Sequence, residues 1–165
     1  MEMKFIGRKR ELQELEERYQ SGRFEMGVIY GARRIGKTSL LKKFSEDKPS
    51  LYFQARESSE LDNRAAFSFT LNRLLGIPYE FIYPTYSEAF DALIRYAGGK
   101  PFVLVLDEIA FLAQSDKAFL SELQFNVDHK FKNTEFYLFL RILAAVFTFC
   151  HSEIITMTPN PFPFS

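Results

Sequence analysis

Residues 26–44 read MGVIYGARRIGKTSLLKKF, a short apolar run, a glycine-bounded basic loop and the start of an amphipathic segment. Within it Gly31, Ala32, Arg33, Arg34, Ile35, Gly36, Lys37 and Thr38 fill the pattern GxxxxGK(S/T) without a mismatch. Gly27 to Tyr30 has the length and composition of a buried strand, and Ser39 to Phe44 places Leu40, Leu41 and Phe44 on one side of a helix. The loop therefore sits between strand and helix, where backbone amides can gather at a helix N-terminus and form an anion cradle.

The residue types suit that chemistry. Gly31 and Gly36 permit backbone conformations that a side chain would obstruct, so successive N–H groups can turn inward. Lys37 can reach β- and γ-phosphates as a compact positive charge, and the Thr38 hydroxyl is placed to ligate a Mg²⁺ that bridges them. Ser39 completes the candidate set for the phosphates. Arg33 and Arg34 lie inside the loop, where backbone faces the ligand and side chains face away, so they are expected to meet solvent or the protein body.

Outward from the loop, strands and helices alternate. Arg8 to Tyr19 carries Leu12, Leu15 and Tyr19 at helical spacing, and Leu51 to Phe53 forms a second short strand. Asp62 or Asn63 is placed to cap a helix that Gly76 and Pro78 end. Thr85 and Glu88 have capping-box spacing before a further helix that stops at Gly98 and Gly99. Phe102 to Leu106 is a five-residue apolar run suited to a strand buried on both faces. A helix over about Asp116–Lys130 and a strand over Glu135–Leu140 follow. Such alternation predicts an α/β fold of three layers with a mostly parallel sheet, the P-loop NTPase architecture.

A second constellation supports the first. Asp107 and Glu108 end the run FVLVLDE, so both carboxylates are expected at the carboxyl edge of the sheet, where open α/β folds bind ligands. Asp107 is the candidate for holding Mg²⁺ and Glu108 for activating the water that attacks the γ-phosphate. No NKxD string, the guanine-reading pattern, occurs, which favours ATP.

Composition narrows the function classes. Lys plus Arg equals Asp plus Glu at 21 each and 47% of residues are hydrophobic, which fits a globular domain and gives no support for a broad nucleic-acid face. Cys150 has no internal partner, and MEMKFIGRKR lacks the apolar core of a secretory signal, so a reducing cytoplasm is the expected compartment. His129 and His151 stand apart and are expected to be packing or surface residues. Tyr137 to Cys150 is apolar but short and interrupted by Arg141, which favours a buried strand running into a second apolar element over a membrane span.

Taken together, FIGRKRELQELEERYQSG, VIYGARRIGKTSLLKKF, LYFQARE, FVLVLDEIAFLAQSDKAFLSELQ and VDHKFKNTEFYLFL resemble the archaeal ATPase family, AAA+-related and STAND-like P-loop ATPases. The resemblance implies Mg²⁺-dependent ATP hydrolysis used as a switch, with a protein partner or self-association as its reader. It also makes Ile6, Gly7 and Arg8 candidate base and ribose contacts. Relatives of this kind continue after the fourth strand with a GSS-like run carrying a sensor serine, then a fifth strand and a helical lid.

Here the chain continues RILAAVFTFCHSEIITMTPNPFPFS. Residues 1–140 are thus expected to form the ATPase core, with 141–165 a non-matching tail produced by truncation or frameshift and the sheet incomplete at its carboxyl end. Without a fifth strand, Gly27–Tyr30 would be an exposed edge, and within 142–157 the segment Glu153–Met157 is the better candidate for a substitute. Three functions stay open: an ATPase switch, a nucleotide-binding remnant without turnover, and a small-molecule kinase, the last disfavoured by Glu108 and by the lack of an arginine-rich lid.

Overall fold

The computed structural model describes residues 9–30, 37–142 and 155–157. The order is α1 (Lys9–Tyr19), β1 (Glu25–Tyr30), α2 (Lys37–Ser45), β2 (Ser50–Gln54), α3 (Glu60–Leu75), α4 (Tyr86–Ala97), β3 (Phe102–Asp107), α5 (Ile109–Ser115), α6 (Phe119–His129), β4 (Phe136–Ile142) and β5 (Ile155–Met157). The strands form one sheet in the order β2-β3-β4-β1-β5, with every pair parallel. Parallel strands need crossovers, and helices supply them on both faces, which gives the predicted three layers.

Alternation along each strand sorts the core into two halves. Ile29, Val103, Val105, Tyr137 and Phe139 pack with Leu15 of α1 and Leu40, Leu41 and Phe44 of α2. Met26, Val28, Leu104, Leu106, Leu138 and Leu140 point the other way, into a cluster with Phe67, Phe90, Phe119 and Leu123 from α3, α4 and α6. All six residues of β3 are buried, as a central strand covered on both sides requires.

The ends of the helices follow their local sequence, with one correction. The α3 N-cap is Ser59, whose hydroxyl accepts from the Asp62 N–H at 3.1 Å; Asp62 and Asn63 lie inside the helix. Asn63 instead is 2% exposed and closes the preceding loop, donating to the Arg56 carbonyl at 2.9 Å and accepting from the Arg56 N–H at 3.0 Å. Gly76 ends α3 at φ 69°, a left-handed conformation suited to glycine. Thr85 caps α4 through the Glu88 N–H, as its spacing predicts.

Two further differences concern the second half of the chain. The segment expected as one helix from Asp116 starts later, at Phe119, and is preceded by α5, which apolar residues directly after two acids did not announce. The phosphate-loop strand is also not an edge. β5 pairs with it through Gly27–Ile155, Val28–Thr156 and Ile29–Met157, within the segment expected to offer a substitute strand.

Candidate functional site

Because every strand is parallel, the carboxyl ends of β1, β3 and β4 lie along one edge of the sheet. β1 ends at Tyr30 and α2 begins seven residues later at Lys37, so the chain leaves the sheet at this edge and returns as a helix packed on one face. The pairings Val28–Leu140 and Leu106–Leu140 align three strands here, and one residue further on Ile29, Arg141 and Asp107 share a row. Asp107 is two and four residues beyond Val105 and Val103, which pack toward α1 and α2, so parity sends its side chain to the α2 face.

The surroundings of Asp107 are specific. It is fully buried, and Nη1 of Arg141 donates to both of its oxygens, at 3.1 Å to Oδ1 and 2.9 Å to Oδ2. The Tyr52 hydroxyl of β2 also donates to Oδ2. Arg141 itself has only a tenth of its side chain exposed. A carboxylate in such a place needs both charge compensation and hydrogen bonds, and this trio supplies them from three adjacent strands. Tyr52 in turn lies under α2, with Lys42 Nζ 5.8 Å from its ring centroid.

Glu108 follows with a backbone unlike that of its neighbours. Its φ is 58°, which makes it the one non-glycine residue with positive φ among the described residues, and it is 6% exposed. It caps the N-terminus of α5 without a side-chain cap bond. Left-handed backbone at a β-strand's exit turns the chain sharply from sheet to helix, and for a residue with a Cβ it costs about 1 kcal/mol or more.

Of the residues singled out in the sequence, Asp107 and Glu108 are brought to the edge from which the loop departs, and Lys37, Thr38 and Ser39 open α2. Gly31 to Gly36, including Ala32, Arg33, Arg34 and Ile35, lie outside the described residues, as do Ile6, Gly7 and Arg8, Cys150 and His151, and the side chains of Lys37 and Thr38. His129 is exposed at the end of α6, its ring 4.5 Å from that of Phe125, as expected for a surface residue. Among the described residues no group of three His, Cys, Asp or Glu side chains forms a metal cluster, and no helix is long and apolar enough to cross a membrane.

Sequence reasoning missed Arg141 and Tyr52 as members of the site. Arg141 reads as an interruption in an apolar stretch, yet it is the next-to-last residue of β4, beside the residue that ends β3. The signal was present: FVLVLD and FYLFLR are apolar runs of equal length closed by opposite charges. In neighbouring parallel strands of matched register, those charges meet.

Comparison with known proteins bears on the family and the fold. The model of the ATPase domain found predominantly in Archaea matches residues 5–143. An uncharacterised protein of Methanocaldococcus jannaschii is 31% identical over 131 residues, 79% of this chain and 28% of that protein. An uncharacterised ATP-binding protein of the same organism is 46% identical over 44 residues, 27% of this chain and 75% of that protein. The chain thus spans little more than a quarter of the longer of these relatives.

Solved structures share the fold at low identity. The Walker-type ATPase of Pyrococcus abyssi superposes with a TM-score of 0.56 at 19% identity, covering 82% of this chain and 45% of that one. Cdc6p of Pyrobaculum aerophilum gives 0.59 at 18%, covering 86% and 40%. The ORC2 protein of Aeropyrum pernix, solved with ADPNP and ADP, gives 0.60 at 18%, covering 82% and 41%. With the family model spanning the whole of α1 to β4 and the fold shared with P-loop ATPases, the chain belongs to the family of ATPase domains found predominantly in Archaea.

Proposed function

We propose that this domain binds ATP with Mg²⁺ and hydrolyses it, and that the bound and hydrolysed states act as a switch. The observation that carries this reading is the buried carboxylate of Asp107 on the α2 face of the sheet, at the edge where the GxxxxGK(S/T) loop departs. Loop amides and Lys37 bind the phosphates, the dipole of α2 favouring their negative charge. Ile6, Gly7 and Arg8 are assigned to base and ribose by resemblance to the family.

The residues fit a Mg²⁺ ion. It takes hard oxygen ligands and usually one or two carboxylates, keeping waters and phosphate oxygens for the rest, so a three-residue cluster is not required. Asp107 offers two such oxygens, and its ion pair with Arg141 supports the reading that positive charge is accommodated there. Thr38 and Asp107 are the residues that would hold the ion, which when bound supplies charge neutralisation at the β- and γ-phosphate oxygens. Glu108 accepts a proton from the attacking water. Its left-handed backbone supports that role, because strain of this kind collects at functional sites.

Calorimetric titration with a non-hydrolysable ATP analogue and steady-state phosphate release test the assignment. Lys37→Ala is expected to weaken binding at least tenfold, and Glu108→Gln to slow turnover by about 10² to 10⁴ while leaving affinity intact. Unchanged binding and unchanged turnover in the two variants overturn the site. A second reading, nucleotide binding without turnover, is favoured by the engagement of Asp107 with Arg141 and Tyr52. Tight binding by folded wild-type chain with no phosphate release selects it.

A further inference from the structure

Arg141 occupies the oxygens that the proposed function assigns to a metal ion. Its Nη1 lies within 3.1 Å of both oxygens of Asp107, and the pair is almost wholly withdrawn from solvent. The placement is built into the sheet. Arg141 follows Leu140 of β4, which is paired with Leu106 of β3, so the register delivers guanidinium to carboxylate without any loop having to close. On its other side Arg141 is paired with Ile29, one residue short of the end of β1 and the start of the phosphate loop. A cation fixed by two strands therefore stands between the metal-binding carboxylate and the strand that delivers the phosphates.

Two cations cannot hold the same pair of oxygens at full strength. A charge-assisted hydrogen bond in a buried setting is stronger than its neutral counterpart, and Asp107 left alone would be a costly unpaired charge. We infer that Arg141 is a stand-in cation: it neutralises Asp107 while no metal is present and competes with Mg²⁺ for that carboxylate when nucleotide arrives. Arg141 is thus a positioning residue that sets how strongly nucleotide binding depends on Mg²⁺. Tyr52, which also donates to Oδ2, holds the carboxylate in place through the exchange.

This inference rests on the proposed nucleotide site and is tested apart from it. The dissociation constant of a non-hydrolysable ATP analogue is measured by calorimetry in EDTA and again in Mg²⁺, and the ratio of the two is the readout. In Arg141→Gln the metal-free site carries an uncompensated carboxylate that repels the phosphates, whereas Mg²⁺ no longer has a competitor. The ratio is therefore expected to rise about tenfold, the two charge-assisted hydrogen bonds of Arg141 to Asp107 being lost together. Arg141→Lys keeps a charge with different donor geometry and is expected to raise the ratio about threefold. Adding Asp107→Asn to Arg141→Gln should return the ratio to that of Asp107→Asn alone.

A merely structural Arg141 weakens binding equally in both conditions, so an unchanged ratio in folded Arg141→Gln overturns the inference. Should that variant fail to fold, Arg141→Lys decides by the same criterion. If wild-type chain binds no analogue in either condition, the nucleotide site fails and this inference with it. If it binds and the ratio does not move, this inference alone fails.

Discussion

Gly27 of β1 lies against Phe139 of β4 so closely that a methyl group at Gly27 would sit 3.0 Å from two carbons of the ring. Phe139 has little freedom to yield. It is fully buried, its ring centroid is 4.1 Å from that of Tyr137, and Phe44 of α2 meets it edge-on at 5.8 Å. Glycine here is a close-approach residue, letting the strand that carries the phosphate loop seat against the aromatic layer under α2. Gly27→Ala is expected to lower stability by about 1 to 3 kcal/mol despite alanine's better strand propensity. Equilibrium urea unfolding gives the value directly, and a more stable variant refutes the packing argument.

Lys48 ties the far end of α2 to α1. Its ammonium donates to the Phe44 carbonyl at 3.0 Å and Asp47 at 2.8 Å, pairs with Glu16 at 2.9 Å, and lies 4.5 Å from the Phe44 ring centroid. Burial pulls its pKa down, but the hydrogen bonds and charges of Asp47 and Glu16 outweigh that and hold it above the ordinary lysine value. A raised pKa means the charged form is preferred in the folded state. The associated stability is complete below about pH 10.4 and is lost as pH rises through the higher folded value. Lys48→Met should lower stability modestly at pH 8, since both carboxylates are exposed to solvent and screened by it. The gap between wild type and variant should narrow in thermal melts as pH rises beyond the ordinary lysine value; a constant gap rejects the electrostatic account.

Glu108 separates activity from stability. Glycine adopts φ near 58° without the Cβ penalty, so Glu108→Gly is expected to stabilise the fold by about 1 kcal/mol while removing the assigned base. Differential scanning calorimetry alongside phosphate release reads both effects. A lower melting temperature shows that contacts of the carboxylate outweigh the backbone cost.

Asn63 secures the loop after β2. Both ends of its amide bond the backbone of Arg56, so Asn63→Leu leaves a donor and an acceptor without their partners in a nearly closed site. A loss of about 2 to 4 kcal/mol is expected, with amide exchange around Arg56 accelerating before that of the sheet. Uniform acceleration would show that the residue supports the global fold and not this loop.

Much of the architecture was legible because periodicity and punctuation coincide. β3 reads as five apolar residues ended by an acid, and Thr85 with Glu88 announces α4. The helix cap at Ser59 was less readable, since Ser58, Ser59, Asp62 and Asn63 are all plausible capping types within a few positions and only geometry selects among them. α5 was missed because its start depends on the left-handed turn at Glu108, a conformation that sequence gives little reason to expect of glutamate. Within the candidate site, the placing of Asp107 and Glu108 at the sheet edge was readable from their position at the end of an apolar run. Arg141 and Tyr52 were not, because each joins the site through strand register, a relation between distant segments that no local pattern carries.

Parallel pairing has a consequence for the order in which this domain can be made. β1 emerges early, yet the strand that fixes it, β4, is paired with it through Glu25–Tyr137 to Tyr30–Ile142, roughly a hundred residues later. Until that segment leaves the ribosome, the glycine-rich loop has no sheet edge to depart from, and Asp107 has no guanidinium beside it. The nascent chain therefore carries the whole GxxxxGK(S/T) sequence long before it carries the sheet edge beside it, so the proposed nucleotide site can be assembled only late in translation.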